Sequence, residues 1–264
     1  MSTFLYGAHV HANNIRQHYL RYGGDGPALI LVPGITSPAI TWGFVAERLG
    51  EKYDVYVLDV RGRGLSSSGP ELAYDAETCA QDVNAFAAAL NLDSYALLGH
   101  SMGARFALRA AALRPAGVRR LVLVDPPVSG PGRRAYPGQW PWYADSIRQS
   151  QPGMSAEQMR AFCPTWSEEQ RQLRAEWLHT CYEPAIQRAY DDFHQVDSHR
   201  DYPQLTMPTL LMAAGKGGVI QPEDRAEIRA LQPEIAIVEV ENAGHMIPWD
   251  DFDGFFRALG DFLD

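Results

Sequence analysis

The stretch Tyr95-Ala96-Leu97-Leu98-Gly99-His100-Ser101-Met102-Gly103 decides how this chain is read. A short run of apolar residues leads into Gly-His-Ser-Met-Gly, and a helix-forming run, Met102–Leu113, follows. Short segments that are apolar throughout suit strands buried on both faces. The glycines on either side of the serine allow a turn so tight that a Cβ would clash, which predicts Ser101 at a strained, exposed corner between strand and helix. The first backbone N–H groups of that helix converge on the same point and favour negative charge there. A bare G-x-S-x-G pattern arises often by chance; between a strand and a helix it marks a nucleophile.

Working outward, short apolar runs alternate with helical patterns along most of the chain. The runs are Ala28–Val32, Val55–Val60, Arg120–Val124, Thr209–Ala213 and Ile235–Val240, and the helical stretches include Ala76–Leu90, Asp224–Leu231 and Phe252–Leu263. That alternation predicts a parallel sheet covered by helices, with His9–Tyr22 as an antiparallel hairpin at its edge. The rhythm breaks after Val124. From residue 126 to 203 there is no buried-strand pattern, but there are helical segments and many aromatics, Trp140, Trp142 and Trp166 among them. This part is expected as a helical lid over the carboxyl ends of the strands, where open α/β sheets bind ligands. The core is then residues 1–125 and 204–264, with 126–203 as an insertion rather than a second domain.

With 264 residues, 46% hydrophobic and 21% charged, the chain has the composition of a soluble globular protein. Its 23 basic and 32 acidic residues leave a net charge of −9, which argues against nucleic-acid or acidic-membrane partners while allowing a local basic pocket. Three cysteines without a CxxC pair predict neither a disulfide framework nor a zinc site, and Gly215–Gly218 lacks the Lys-Ser/Thr ending of a phosphate loop. No metal or cofactor is expected. The N-terminus lacks the basic flank and apolar core of a signal peptide, and no apolar run approaches the roughly 20 residues of a membrane span, so a cytoplasmic protein is expected. The oligomeric state stays open.

A serine hydroxyl needs a base. Of eight histidines, His245 stands out because it follows the last strand, in Asn242-Ala243-Gly244-His245-Met246. The order serine, acid, histidine suits that position. His100, next to Ser101, is expected to pack or hydrogen-bond locally.

Together these features resemble the α/β-hydrolase fold family. The likeness runs through Val32-Pro33-Gly34-Ile35, Asp59-Val60-Arg61-Gly62-Arg63-Gly64-Leu65-Ser66, Gly99–Gly103 and Gly244-His245. It implies a mostly parallel eight-stranded sheet flanked by helices, a lid inserted after the strand ending at Asp125, and an oxyanion hole made by the N–H groups of Ile35 and Met102. It assigns the Asp59–Ser66 turn a structural role only. Many relatives carry their acid after the next-to-last strand, in a G-x-x-D-x-x-x-P segment. Here that segment is Gly215-Lys216-Gly217-Gly218-Val219-Ile220-Gln221-Pro222, with glycine at the acid's place. Asp125, at the end of the strand after the nucleophile's, is the leading replacement and Asp224 the runner-up. A turn-capping aspartate is the plain alternative for Asp125.

Within the family, the loop PGITSPAITW, the elbow GHSMGARFALRAAALRP and the segment VDPPVSGPGR resemble hydrolases of nicotinate breakdown that split a small anionic N-formyl amide. A carboxylesterase, a lactonase or a carbon–carbon bond hydrolase would use the same machinery, and a non-catalytic small-molecule receptor is the reading from another class. An anionic substrate needs a cation or hydrogen-bond donors. Thr36 and Ser37 are candidate donors. Arg105, one turn beyond Ser101, is read first as a buried ion-pair residue and second as a carboxylate binder. Arg133, Arg134, His199 and Arg200 are alternatives, and Trp140, Trp142 and Trp166 are expected to wall the pocket.

Overall fold

The computed structural model describes residues 1–264. Eight strands, β1 (Phe4–Ala12), β2 (Ile15–Tyr22), β3 (Ala28–Val32), β4 (Asp54–Leu58), β5 (Tyr95–His100), β6 (Val118–Val124), β7 (Thr209–Ala214) and β8 (Ala236–Val240), form one sheet in the order β1-β2-β4-β3-β5-β6-β7-β8. From β4 to β8 every pairing is parallel, while β1 pairs with β2, and β2 with β4, antiparallel. The hairpin turns at Asn13-Asn14, both at positive φ, which short polar side chains tolerate. The opening hairpin therefore begins five residues earlier than the sequence pattern indicates, at Phe4.

The helices are α1 (Gly43–Leu49), α2 (Ala76–Ala89), α3 (Met102–Leu113), α4 (Trp140–Ser150), α5 (Ala156–Met159), α6 (Glu168–Trp177), α7 (Glu183–Gln195), α8 (Pro222–Leu231), α9 (Ile247–Asp250) and α10 (Phe252–Leu259). None is long and apolar enough to cross a membrane. Because successive strand residues face opposite sides, each central strand feeds two cores. Ile30, Val32, Leu97 and Leu123 pack with Phe86 of α2, Phe106 of α3 and Ile228 of α8. Leu29, Leu31, Leu98 and Val122 pack with Val45 of α1, Ile247 of α9 and Phe255 of α10. One apolar run departs from the expected double burial. β8 closes the sheet with a neighbour on one side only, and Ala236 and Glu239 are exposed.

Between β6 and β7 the chain forms α4 to α7. Pro126-Pro127 come one residue after β6, and a proline cannot donate to a ladder, so the strand does not continue. Tyr143, Ile147, Leu178, Ile186 and Phe193 of this insertion join the same apolar cluster as α2 and α3.

The turn at Ser101 is the tightest point of the fold. Ser101 has φ 53° and ψ −120°, a conformation costing on the order of 1–3 kcal/mol that only surrounding packing can maintain. A Cβ on Gly99 would lie 2.3 Å from the Gly103 carbonyl oxygen, and one on Gly103 would lie 2.0 Å from that of Val32. Absent side chains thus let α3 start directly against β3 and β5. Gly103→Ala should push α3 off β3 and destabilise the protein by about 3 kcal/mol. Urea unfolding checks this; a midpoint unchanged from wild type would contradict the close approach.

Candidate active site

Parallel register sets the first two residues side by side. β5 and β6 align His100 with Val124, so the next residues, Ser101 and Asp125, leave the sheet at adjacent strand ends. The Ser101 N–H donates to the Val124 carbonyl at 2.9 Å, and the Asp125 N–H donates to that of Met212 at 2.8 Å. Asp125 also adopts positive φ, 43°, which turns it out of its strand. The loop after β8 brings the third residue. His245 Nδ1 lies 2.6 Å from Asp125 Oδ2, and its Nε2 lies 2.9 Å from Ser101 Oγ. A carboxylate accepts only, so Nδ1 carries the proton and Nε2 presents its lone pair to the serine hydroxyl.

Each member is held from behind. Asp125 is fully buried, and its carboxylate also accepts from the Val219 N–H at 3.1 Å and the Ala214 N–H at 3.4 Å. His100 Nε2 donates to the His245 carbonyl at 2.9 Å, fixing the loop that carries the imidazole. The Gly244 N–H donates to Asp250, whose carboxyl is shifted up chiefly by burial.

The loop Gly34–Ser37 closes over the serine. A Cβ on Gly34 would lie 3.6 Å from that of Ser101. The backbone N–H groups of Ile35 and Met102 donate to no protein acceptor. Arg63, 1% exposed, ties the two together: Nε donates to the Ile35 carbonyl at 3.1 Å and Nη2 to Met102 Sδ at 3.2 Å. The Asp59–Ser66 turn thereby reaches the serine's neighbourhood, which its motif alone does not reveal.

A cavity of about 190 Å³ opens onto Ser101 and His245. Ile35, Thr36, Ser37, Trp142 and Trp166 line it. Trp140 does not. Two residues apart on α4, Trp140 and Trp142 point about 200° apart around the helix axis, so Trp140 packs at a tilt against Tyr190 instead. Arg105 also lies outside this cavity and forms no ion pair. It donates to the carbonyls of Ser129, Asp192, Phe193 and Val196. Two of these are in the last turn of α7 and the third, Val196, follows it, where a cation suits the carbonyls of a helix C-terminus; burial lowers the pKa of Arg105 to about 10. Arg133 pairs with Glu227, Arg134 with Asp224, and His199 and Arg200 are likewise absent from the cavity wall. Asp224 caps α8 through the Gln221 N–H and does not reach His245.

Arg174 was invisible to sequence reasoning. On α6 it sits among the polar residues of an ordinary amphipathic pattern, yet it is 4% exposed and lines the cavity. Its guanidinium donates to the Thr36 carbonyl at 3.1 Å and to Thr36 Oγ1 at 3.0 Å.

The family model described as alpha/beta hydrolase fold matches residues 27–252. The chain belongs to the α/β hydrolase fold family. It is 72% identical, over all 264 residues and 98% of the relative, to the N-formylmaleamate deformylase of Pseudomonas putida. Among solved structures of this fold it resembles the N-formylmaleamic acid deformylase of Pseudomonas putida S16 with a TM-score of 0.93, at 55% identity across 97% of this chain and 100% of that one. The structure of E-2-(acetamidomethylene)succinate hydrolase shares the α/β hydrolase fold at a TM-score of 0.81 and 23% identity, over 99% of both chains.

In this α/β hydrolase the glycine after β7 has a structural explanation. A Cβ at Gly218 would lie 3.0 Å from both carboxylate oxygens of Asp125 and 2.6 Å from the Ala214 Cβ. The carboxylate that enters from β6 fills the space a side chain at 218 would need.

His100 supplies a pH dependence. Burial first, and neighbouring His245 second, push its imidazole down to about 3, against roughly 6.5 in an unfolded chain. The unfolded state therefore binds the proton that the folded state excludes. This contribution to stability is complete above about pH 6.5 and declines as pH falls toward 3, at up to ~1.4 kcal/mol per pH unit. Melting temperatures from pH 7 to 5 should fall more steeply for wild type than for His100→Gln; parallel slopes would contradict the assignment.

Proposed function

We propose that this chain is a serine hydrolase that converts N-formylmaleamate to maleamate and formate. The full-length, 72% likeness to an N-formylmaleamate deformylase carries the choice of substrate. The hydrogen-bonded row Ser101–His245–Asp125 supports the mechanism. Ser101 Oγ attacks the formyl carbon while His245 Nε2 takes the hydroxyl proton, and Asp125 orients the ring and stabilises the imidazolium. The N–H groups of Ile35 and Met102 hold the oxyanion, each donor being worth about 3–4 kcal/mol in the transition state. Collapse breaks the C–N bond, His245 returns the proton to nitrogen, and maleamate leaves. Water, deprotonated by His245, then attacks the formyl ester on Ser101, releasing formate and restoring the serine.

The substrate suits this chemistry. An N-formyl amide is an imide, so its carbonyl is electrophilic and its nitrogen departs as a stabilised amide. The formyl group is the smallest acyl group, and the substrate as a whole is small, as suits a cavity of about 190 Å³. The insertion supplies Trp142 and Trp166 to the wall, and we assign residues 126–203 as the lid of the core formed by 1–125 and 204–264. Its partner is thus a small anion, and three buried, unpaired cysteines suit a reducing cytoplasm.

Formate release from N-formylmaleamate tests this reading. Wild type should turn over; Ser101→Ala should lose at least about 10⁴-fold in kcat, and Asp125→Asn about 10⁴-fold through the wrong tautomer. Formate release by Ser101→Ala at the wild-type rate would refute the nucleophile. Ser101-dependent ester cleavage without formate release would keep the hydrolase and replace the substrate. Binding without turnover of either compound would favour a receptor.

A further inference from the structure

The cavity wall contains one permanently charged side chain, Arg174, and no aspartate, glutamate or lysine. No acidic residue pairs with it elsewhere, since its hydrogen bonds go to Thr36 alone. Of its five N–H donors those two contacts use two, and the buried Nε has no partner. Burying a guanidinium with donors unused is costly unless an anion or dipole completes the shell. Trp142 and Trp166 hold the cation in place, their ring centres 5.5 and 5.7 Å from its central carbon.

Three other buried arginines show what completion looks like; a fourth, Arg171, meets the carbonyls of Ala156 and Trp166 away from the cavity. Arg61 pairs with Asp82. Arg105 meets four carbonyls, and Arg63 meets three carbonyls and a thioether. Arg174 alone among them faces the cavity over Ser101. In a chain of net charge −9 this is a local positive site.

We propose that Arg174 is the specificity residue that binds the carboxylate of the substrate, at the opposite end from the scissile formyl group. The choice of anion rests on the deformylase reading; the anion site itself rests on the unpaired cation. A planar fork matches a carboxylate in shape and charge. Thr36, held by the same guanidinium, adjoins Ile35, so the anion's seat and the loop over Ser101 share one support. The substrate is thereby gripped at its acid end while its formyl carbon meets the serine.

The test uses hydrolysis of p-nitrophenyl acetate, a neutral reporter, inhibited by maleamate or by maleamide, its neutral isostere. Wild type should prefer maleamate at least tenfold, the effect of one charge-assisted contact. Arg174→Gln should abolish the preference, and Arg174→Lys, which keeps the charge but not the fork, should retain only part of it. Taking the ratio of two inhibitors cancels any loss from a shifted Thr36 loop, and melting temperatures confirm that each variant is folded. A maleamate preference unchanged in both variants, or absent from wild type, overturns the proposal. Should wild type release no formate from N-formylmaleamate while the preference for maleamate depends on Arg174, the substrate assignment fails and the anion site stands.

Discussion

One imidazole ring joins parts of the chain that lie 120 and 144 residues apart. His245 bonds Asp125 on one side and Ser101 on the other, at 2.6 and 2.9 Å. Neither contact tolerates much displacement, because proton transfer requires hydrogen-bond distance and alignment. Two neighbouring strands fix the serine and the aspartate through sheet register, and His100 anchors the histidine loop from beneath Ser101. The strained backbone at Ser101 and the positive φ of Asp125 are maintained by this packing. Both are local costs at the point where side chains must leave the sheet.

The acid shows that position in space matters more than position in sequence. An imidazole needs a carboxylate at Nδ1, and either strand end flanking that point can deliver it. Here β6 delivers Asp125, and the end of β7 with the segment after it contributes two things in return: backbone N–H groups from Ala214 and Val219, and the empty space of Gly218. The glycine that departs from the family pattern and the aspartate that replaces it are one adaptation.

Buried arginine recurs around this site in three different settings. Arg61 is neutralised by Asp82, Arg63 and Arg105 are solvated by carbonyls, and Arg174 borders the cavity. The first three organise loops and helix ends. Only the last places its unused donors at the cavity over Ser101, so an acidic protein carries a local cationic pocket there.

The parallel sheet, the serine elbow, His245 and the candidacy of Asp125 were legible in the sequence, because each rests on local rules. Apolar runs become strands, glycines permit a tight turn, and a histidine just after the last strand lies at the sheet's carboxyl edge. The preference for Asp125 over Asp224 could be argued from strand order, yet its contact with His245 required the register of β5, β6 and β7. The cavity wall was not legible in this way. Trp140 and Trp142 are nearly adjacent in sequence and diverge on α4, while Arg105 lies one turn from Ser101 and turns toward the end of α7. Arg174, 73 residues from the serine, arrives over it on α6. Which side of a helix meets which cavity depends on how the insertion packs on the core, a long-range arrangement that no spacing within the sequence encodes.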